Sequence, residues 1–448
     1  MKTRDMTHGD PLKLILVFAV PLFIGNIFQQ LYSIVDTMIA GYNLGDGAIA
    51  AIGATSSLYG LLIDFAWGLN SGYGIVIARA FGSGDREELK RTIATTIVLD
   101  TVITLLLTAV SVAALHPLLG LLNVPADIYE DAYAYIVIIL SGMVMTILYN
   151  MVAGILRAVG NSRTPLHFLI FSSVANGGMD ALFIIAFGWG IRGAALATVI
   201  AQSLSAILSG AYVWRKYQDI LPEKRHFRLE LQRVKEMAST GFAMAVMLCV
   251  VDLGSVFYQR AINLLGSTLI VAHTAARRII GLMMMPLSSL CTANSTFVSQ
   301  NWGAKKTDRI RSSMRTVLLM EVAWGLFSCL LVWLLGGQAV QWLTSTTDPE
   351  VIDNAVLSLR LHFSCYPALG VLLAMRTGMQ AIGMKVVPVI SSGFELAIKL
   401  LCGLWLIPTF GYICVCLAEP VIWVVCMTFL IIVWLVRKPL TGAEMQER

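Results

Sequence analysis

The sequence predicts an all-α polytopic membrane protein with twelve transmembrane helices in two six-helix lobes. Three observations predict this fold: the composition, the spacing of the apolar runs and an internal repeat. Of 448 residues, 57% are hydrophobic and 13% are charged, and the mean hydropathy is +0.76. A soluble domain has no interior for so many apolar side chains. This composition excludes a disordered chain, a nucleic-acid-binding domain and an ordinary cytosolic enzyme.

The expected spans are long apolar runs that Gly, Pro and charged residues interrupt. At about 20 to 22 residues per crossing, the apolar side chains fill roughly twelve helices. The first run has no small-residue cleavage site, so we expect it to remain as a span rather than be removed as a signal peptide. The expected spans are 14–40, 48–78, 92–115, 128–154, 166–187, 190–214, 236–263, 268–298, 314–335, 355–375, 388–407 and 412–436.

The placement of Lys and Arg predicts the orientation. Of the 32 basic residues, 26 fall at the N-terminus, in the even-numbered connections and at the C-terminus. Loops rich in Lys and Arg stay in the cytoplasm. We therefore expect a multi-pass protein of the cell membrane with both termini cytoplasmic. The largest cluster, seven basic residues in the long connection 215–235, marks a linker between two lobes.

An internal repeat predicts how the twelve spans are grouped. A shift of 221 residues lays Arg79–Asp85 over Gln300–Lys306, and a shift of 223 lays Arg157–Gly160 over Gln380–Gly383. Two near-equal offsets indicate a duplicated six-helix unit. We expect lobes at 1–220 and 221–448, related by a pseudo-two-fold axis along the membrane normal.

Polar residues recur at helical spacing in three spans of the first lobe. Such groups are costly in a membrane and mark functional positions. The first span carries Asn26, Gln29, Tyr32, Ser33, Asp36 and Thr37, the fifth carries Asn176 and Asp180, and the sixth carries Ala194, Thr198 and Gln202. Side chains three or four residues apart share a helix face, so we expect these faces to meet inside the lobe.

The repeat provides a comparison within the chain. It aligns Asp36 with Phe257 and Asp180 with Gly403, so the duplicated scaffold does not require these acids. Two carboxylates in a dry pocket repel each other, which favours uptake of a proton, and the oxygens of Asn176 and Thr198 suit Na⁺. We interpret the four residues as a cation site. The alternative is a structural network in which the two acids only accept local hydrogen bonds.

Three further positions carry weaker signals. Glu395 and Lys399 have the spacing of an ion pair, and Glu395 is a candidate for substrate contact as well. Asp252, with polar residues three and seven positions later, is a second candidate for lining a cavity. Pro21 shares its helix with Asp36 and permits a bend there, which makes it a candidate hinge.

Motifs throughout the chain are similar to those of one known family. They are Pro21–Asn26, Gln29–Thr37, Gly154–Gly160, Asn176 with Asp180, Gly188–Thr198 with Gln202, Ala275–Arg277, Gln380–Gly383 and Glu395-Leu396. Together these segments resemble the multidrug and toxic compound extrusion (MATE) transporters, of the branch with an acidic residue in the first helix.

The resemblance implies a twelve-helix antiporter that exports amphipathic or cationic organic compounds against inward Na⁺ or H⁺. It implies coupling through Asp36, Asn176, Asp180 and Thr198, with Ala194 contributing through its backbone. We expect no cofactor, no nucleic-acid partner and a functional monomer surrounded by membrane lipid. The sequence departs from the family in the seventh helix, because Asp252 does not align with the coupling Glu of another branch.

Two alternatives remain. A flippase of lipid-linked sugars would need additional cations in its cavity to hold pyrophosphate, and the first-lobe spans have none. A membrane enzyme would need a nucleophile with a base, or metal ligands, inside the spans. None of the six histidines forms a pair with metal-ligand spacing, so we expect a transporter and not an enzyme.

Overall fold

The computed structural model describes residues 4–122, 124–344 and 346–440. Within these ranges the regular structure is helical, without a β-strand. The helices are α1 (Pro11–Leu44), α2 (Asp46–Gly82), α3 (Arg86–Ala113), α4 (Leu115–Leu121), α5 (Tyr129–Ala158), α6 (Arg163–Asp180), α7 (Gly190–Lys216), α8 (Leu231–Asn263), α9 (Ser267–Gly303), α10 (Thr307–Thr344), α11 (Pro349–Ser364), α12 (Tyr366–Ala381), α13 (Val386–Leu401), α14 (Ile407–Phe410) and α15 (Tyr412–Arg437).

The helices confirm the predicted all-α membrane class. In the described residues, 11 helices are long and apolar enough to cross a membrane, and one bent pair raises the number to 12. Many large apolar side chains on these helices are exposed, including Leu106 and Leu334. Exposed apolar surface on this scale is expected where the surrounding medium is lipid. The chain ends that we expect in the cytoplasm, residues 1–3 and 441–448, lie outside the described ranges.

Two predicted spans differ from the structure for identifiable reasons. The third begins at Arg86 rather than at 92, because the side chain of Asp85 accepts hydrogen bonds from the backbone N–H groups of Glu87 and Glu88. Such a cap starts a helix before its apolar part. The tenth span is a pair of helices, α11 and α12, bent by 50°. Pro367 lies in the first turn of α12, where its missing N–H ends regular hydrogen bonding to the preceding turn.

One departure from regular α-helix occurs in both repeats. A π-helical segment, Ala181–Ala186, follows α6, and another, Cys402–Leu406, follows α13. The two segments occupy nearly equivalent positions under the offset of 223. π-Helical turns inside longer helices often occur at functional sites. Because both copies have the segment, it belongs to the duplicated scaffold, whereas Asp180 at its start occurs in the first copy alone.

The first compact unit comprises Met1–Asp5 and Val20–Ala245. Its centre is α5, which packs against α2 and α7. The first half of α8 belongs to this unit, and its backbone lies so close to α2 that a Cβ atom on Gly72 would stand 2.6 Å from Cα of Gly241. Glycine at both positions permits this contact.

Ion pairs attach the long linker to α3 of the same unit. Arg225 Nη2 lies 2.9 Å from Glu87 Oε1, and Arg233 Nη2 lies 2.6 Å from Glu88 Oε2. Two further pairs join the basic residues of α3 to the linker acids: Lys90 with Glu223 at 3.2 Å and Arg91 with Glu230 at 2.6 Å. The linker is therefore bound along the start of α3.

The second compact unit comprises Met6–Ala19 and Val246–Arg448. Phe363, Tyr366 and Trp423 lie in its core. The segment before α1 binds to the end of α9 in this unit, where Met6 N donates to Gln300 Oε1 at 2.9 Å. The division in α1 falls between Ala19 and Val20, beside the candidate hinge Pro21.

Candidate functional site

The first unit brings together the two acids that the sequence predicts as a pair. The carboxyl groups of Asp36 on α1 and Asp180 at the end of α6 interact directly with each other. Asp180 is 0% exposed, and Asp36 is partly buried. Because two ionised carboxylates in direct contact repel each other, the pair requires a shared proton or a bound cation.

Asn176 connects Asp180 to α7. In the orientation that satisfies both ends of its amide, Asn176 Nδ2 donates to Asp180 Oδ2 at 2.7 Å. Its Oδ1 atom then accepts from the backbone N–H of Thr198 at 3.0 Å and lies 3.2 Å from Thr198 Oγ1. Asn176 is 1% exposed. The amide therefore fixes the position of the carboxyl group relative to α7.

Thr198 is the meeting point of α1, α6 and α7. Its Oγ1 atom lies 3.2 Å from the backbone oxygen of Ala194, one turn earlier on α7. The hydroxyl group of Tyr32 on α1 also forms a hydrogen bond with Thr198. All five residues expected for cation binding, and Tyr32 from the expected cavity lining, thus lie in one cluster within the first unit.

One atom in this cluster lacks a partner. Asp180 Oδ1 is buried and makes no hydrogen bond within the described residues. Buried polar atoms are nearly always hydrogen-bonded, so an exception calls for an explanation such as the binding of an ion or a ligand. Carboxylate, amide and hydroxyl oxygens are the donor types that hard cations prefer. The donor set therefore fits either a proton or Na⁺.

The second unit shows the same helix crossing without acids. A Cβ atom on Gly403 would stand 3.0 Å from the backbone oxygen of Phe257. These two residues are the counterparts of Asp180 and Asp36 in the repeat. The crossing is therefore kept in both copies, but in the second copy it is closed by backbone contact and has no space for a carboxyl group.

One tyrosine near the acids was not predicted. Tyr135 on α5 interacts electrostatically with both Asp36 and Asp180, and also with Tyr59 on α2. Tyr129, Tyr133 and Tyr135 lie close together near the start of α5, where tyrosines usually mark the membrane interface. No polar periodicity in α5 pointed to this position.

Other predicted residues lie farther along the same helices. Gln202 follows Thr198 by one turn, and its Oε1 atom is buried without a hydrogen-bond partner in the described part of the chain. Gln29 and Asn26 precede Asp36 by seven and ten residues. At 1.5 Å per residue they lie about 10 and 15 Å away along the helix axis, too far to join the acid pair.

Glu395 and Asp252 belong to the second unit. Glu395 forms two ion pairs, with Lys399 Nζ at 3.0 Å and with Arg376 Nη2 at 3.5 Å. Lys399 also donates to Ser255 Oγ at 3.0 Å, three residues after the half-buried Asp252. The expected end of the tenth span at residue 375 would place Arg376 in a connection, and this expectation is wrong, because Arg376 is a buried residue of α12 that is paired with Glu395.

Comparisons with known proteins agree with the architecture. The family model described as MatE matches residues 21–182 and 243–405, and the two matches begin 222 residues apart, between the two repeat offsets. "Probable multidrug resistance protein YoeA" from Bacillus subtilis is 26% identical over 387 residues, which are 85% of this chain and 83% of that protein. "Probable multidrug resistance protein YpnP" from the same organism is 25% identical over 383 residues, 86% and 85% of the two chains.

A solved structure shows a similar fold. A mutant of the MATE transporter VcmN from Vibrio cholerae superposes with a TM-score of 0.90 at 22% identity, covering 97% of this chain and 99% of that one. The family match extends over most of the helices, in both copies of the repeat, and confirms the predicted resemblance. The chain therefore belongs to the MatE family and is a multi-pass membrane transporter, not an enzyme.

Proposed function

We propose that the protein is a cation-coupled antiporter that exports amphipathic or cationic organic compounds by alternating access. The observation that carries this proposal is the contact between Asp36 and Asp180, with one buried carboxyl oxygen lacking a hydrogen bond. The relatives named multidrug resistance proteins support the substrate class. The alternative of a lipid-linked sugar flippase is not favoured by these comparisons. No cofactor is proposed.

The coupling step follows from the repulsion between the two carboxylates. With a proton or Na⁺ bound, the acids stay together and Asn176 keeps its bond to Asp180. After the cation leaves, the two negative charges separate unless another cation replaces it. A site that is stable in two arrangements can couple inward movement of the cation to outward movement of a substrate.

The remaining assignments are part of the same proposal. Substrate contacts are made by Asn26, Gln29, Tyr32 and Gln202 in the first unit and by Asp252 and Glu395 in the second. The functional lobes are 1–220 and 221–448, both termini face the cytoplasm of the cell membrane, and the working form is a monomer in lipid. Asp36 supports the proposed assignment to the branch of the family with an acidic residue in the first helix.

The test uses purified protein in sealed vesicles, with ethidium as a cationic dye. A sodium gradient and a pH gradient are imposed separately, which identifies the coupling ion. Asp36→Asn and Asp180→Asn are expected to abolish dye efflux driven by either gradient without loss of folded protein. Asp100→Asn is the matched control, since Asp100 is a buried acid of the same unit whose Oδ1 accepts from Asn70 Nδ2 at 2.9 Å. Retained efflux in both site variants would reject the assignment.

A further inference from the structure

A second charged cluster, formed by α9, α11 and α15, lies inside the second unit. Glu419 on α15 accepts a hydrogen bond from Arg277 Nη1 at 2.6 Å through its Oε1 atom. Its Oε2 atom lies 3.6 Å from His362 Nε2. The backbone oxygen of Ser358, 2.7 Å from His362 Nδ1, fixes the orientation of that ring. The carboxylate of Glu419 is therefore held from two sides.

The two members of the ion pair differ in exposure. The side chain of Arg277 is 47% exposed, whereas that of Glu419 is 13% exposed. In the neighbouring pair of the same unit, Arg376 and Glu395 are 9% and 13% exposed. A charged group inside a membrane span faces the bundle interior or a water-filled cavity, not lipid. Arg277 therefore covers Glu419 on a side that solutes can reach.

Arg277 binds the carboxylate through a single hydrogen bond rather than through a two-bond fork. Single contacts of an exposed side chain are weaker and easier to replace than bidentate ones. Two buried aromatic rings pack against histidines of this cluster: Trp423 lies edge-on to His362 at 5.6 Å, and Tyr258 lies near His273 at 6.2 Å.

The repeat shows that the scaffold does not require this carboxylate. The offset of 223 aligns Glu419 with Leu196 and His362 with Ile139, both apolar. Titratable groups that interact with Glu419 or with Arg277 include His273 on α9, His362 on α11, and Glu395 and Lys399 on α13. The equivalent helices of the first unit have apolar residues at the positions of Glu419 and His362, so packing of the repeat does not require these two groups. We therefore assign them a role other than packing.

We propose that Glu419 binds the cationic group of the transported compound, and that Arg277 occupies this carboxylate when no substrate is present. An organic cation then replaces the guanidinium group of Arg277, which swings into the solute-accessible space. This inference rests on the proposed function and names the contact that selects cations. Because the pair is neutral both before and after the exchange, the buried carboxylate is never left without a counter-charge.

The test measures equilibrium binding of tetraphenylphosphonium to the purified full-length protein, with neutral triphenylphosphine oxide as a probe of similar shape. Glu419→Gln is expected to weaken binding of the cation by more than about tenfold and to leave binding of the neutral probe unchanged. Arg277→Gln removes the competitor, so binding of the cation should tighten by at least about fivefold. Arg360→Gln, which replaces an exposed arginine of α11 that stacks on Trp333 in the same unit, is the matched control and should not tighten it.

Two results would overturn the inference: unchanged cation binding in Glu419→Gln, or cation binding in Arg277→Gln that is not tighter than in the wild type. If Glu419→Gln does not fold, Arg277→Gln still decides the matter, because the proposal requires tighter binding in that variant. Binding is measured without any gradient, so it is independent of coupling at Asp36. A wild-type protein that binds the cation but does not export it would contradict the proposed function alone.

Discussion

Asn176 donates to Asp180 one turn later on the same helix, at 2.7 Å, while its oxygen accepts from the backbone N–H of Thr198 on α7. The amide is thus the link between the acid pair and the neighbouring helix. Replacing it tests how far coupling depends on this link.

Asn176→Ala should lower the apparent affinity for the coupling cation by about tenfold or more, since a hydrogen bond to a charged group contributes about 1.5–3 kcal/mol. The measurement is the rate of dye efflux as a function of the concentration of the coupling cation. Asn354→Ala is the control, because the exposed amide of Asn354 bonds only to the backbone oxygen of Glu350 among the described contacts. An unchanged cation dependence in Asn176→Ala would contradict the assigned role.

Gly403→Ala should destabilise the protein by about 1–3 kcal/mol, because the added methyl group would force the backbone of Phe257 to move. Thermal unfolding in detergent measures the change. Gly393→Ala, in α13 before the π-helical segment that contains Gly403, has no atom within 4 Å of its new Cβ and should be neutral or slightly stabilising. Equal stability of the two variants would show that the contact at Gly403 is not tight.

Pro21→Ala should reduce the rate of energised efflux while the protein stays folded. Restoring the missing backbone hydrogen bond straightens α1, and we expect cation occupancy at Asp36 to act through a bend at Pro21. Initial efflux rates in vesicles check this. Pro349→Ala, in the first turn of α11 where proline fits without a bend, should leave the rate unchanged. An unaltered rate and substrate profile in Pro21→Ala would exclude the hinge.

Acid should loosen the linker from α3. The hydrogen bond from Lys90 lowers the pKa of Glu223 below its ordinary value of 4.5, and the charge of Arg233 lowers that of Glu230. A lowered pKa in the folded state means that the ion pairs stabilise fully above pH 4.5 and are lost as the pH falls through the folded-state values.

Hydrogen exchange of the linker amides between pH 6 and 3, corrected for intrinsic rates, should show faster opening at the acidic end. Glu223→Gln should already exchange faster at pH 6 and respond less to acid. High salt screens exposed pairs and should mimic part of the effect. Exchange that is independent of both pH and salt would show that the pairs do not hold the linker.

The sequence predicted the acid pair because helical periodicity places Asp36, Asn176, Asp180 and Thr198 on defined faces, and because the second copy of the repeat lacks the acids. It did not predict Tyr135, because tyrosines at the start of a transmembrane helix usually indicate the membrane interface rather than a site in the lobe. Arg376 was assigned to a loop since a charge is the usual sign of a span end, and only its partner Glu395, 19 residues away, reveals that it is buried.

Helix ends and irregular turns were less predictable than helix faces. The start of α3 depends on the cap at Asp85, and the bend before α12 depends on Pro367. Both are local signals that are missed when spans are located by the length of an apolar run. The π-helical turns after α6 and α13 arise from tertiary packing, because the apolar pattern is the same for either helix type. These turns can be located only in the three-dimensional structure.

The ion pairs between the linker and α3 give the linker's basic residues two successive tasks. If the linker is cytoplasmic as proposed, its Lys and Arg residues would orient the neighbouring helices during membrane insertion, and nearby acids would hardly weaken that signal. In the folded protein, Arg225 and Arg233 form ion pairs with Glu87 and Glu88. Under the proposed topology, a charge reversal in this stretch would therefore disturb insertion and assembly at separate stages.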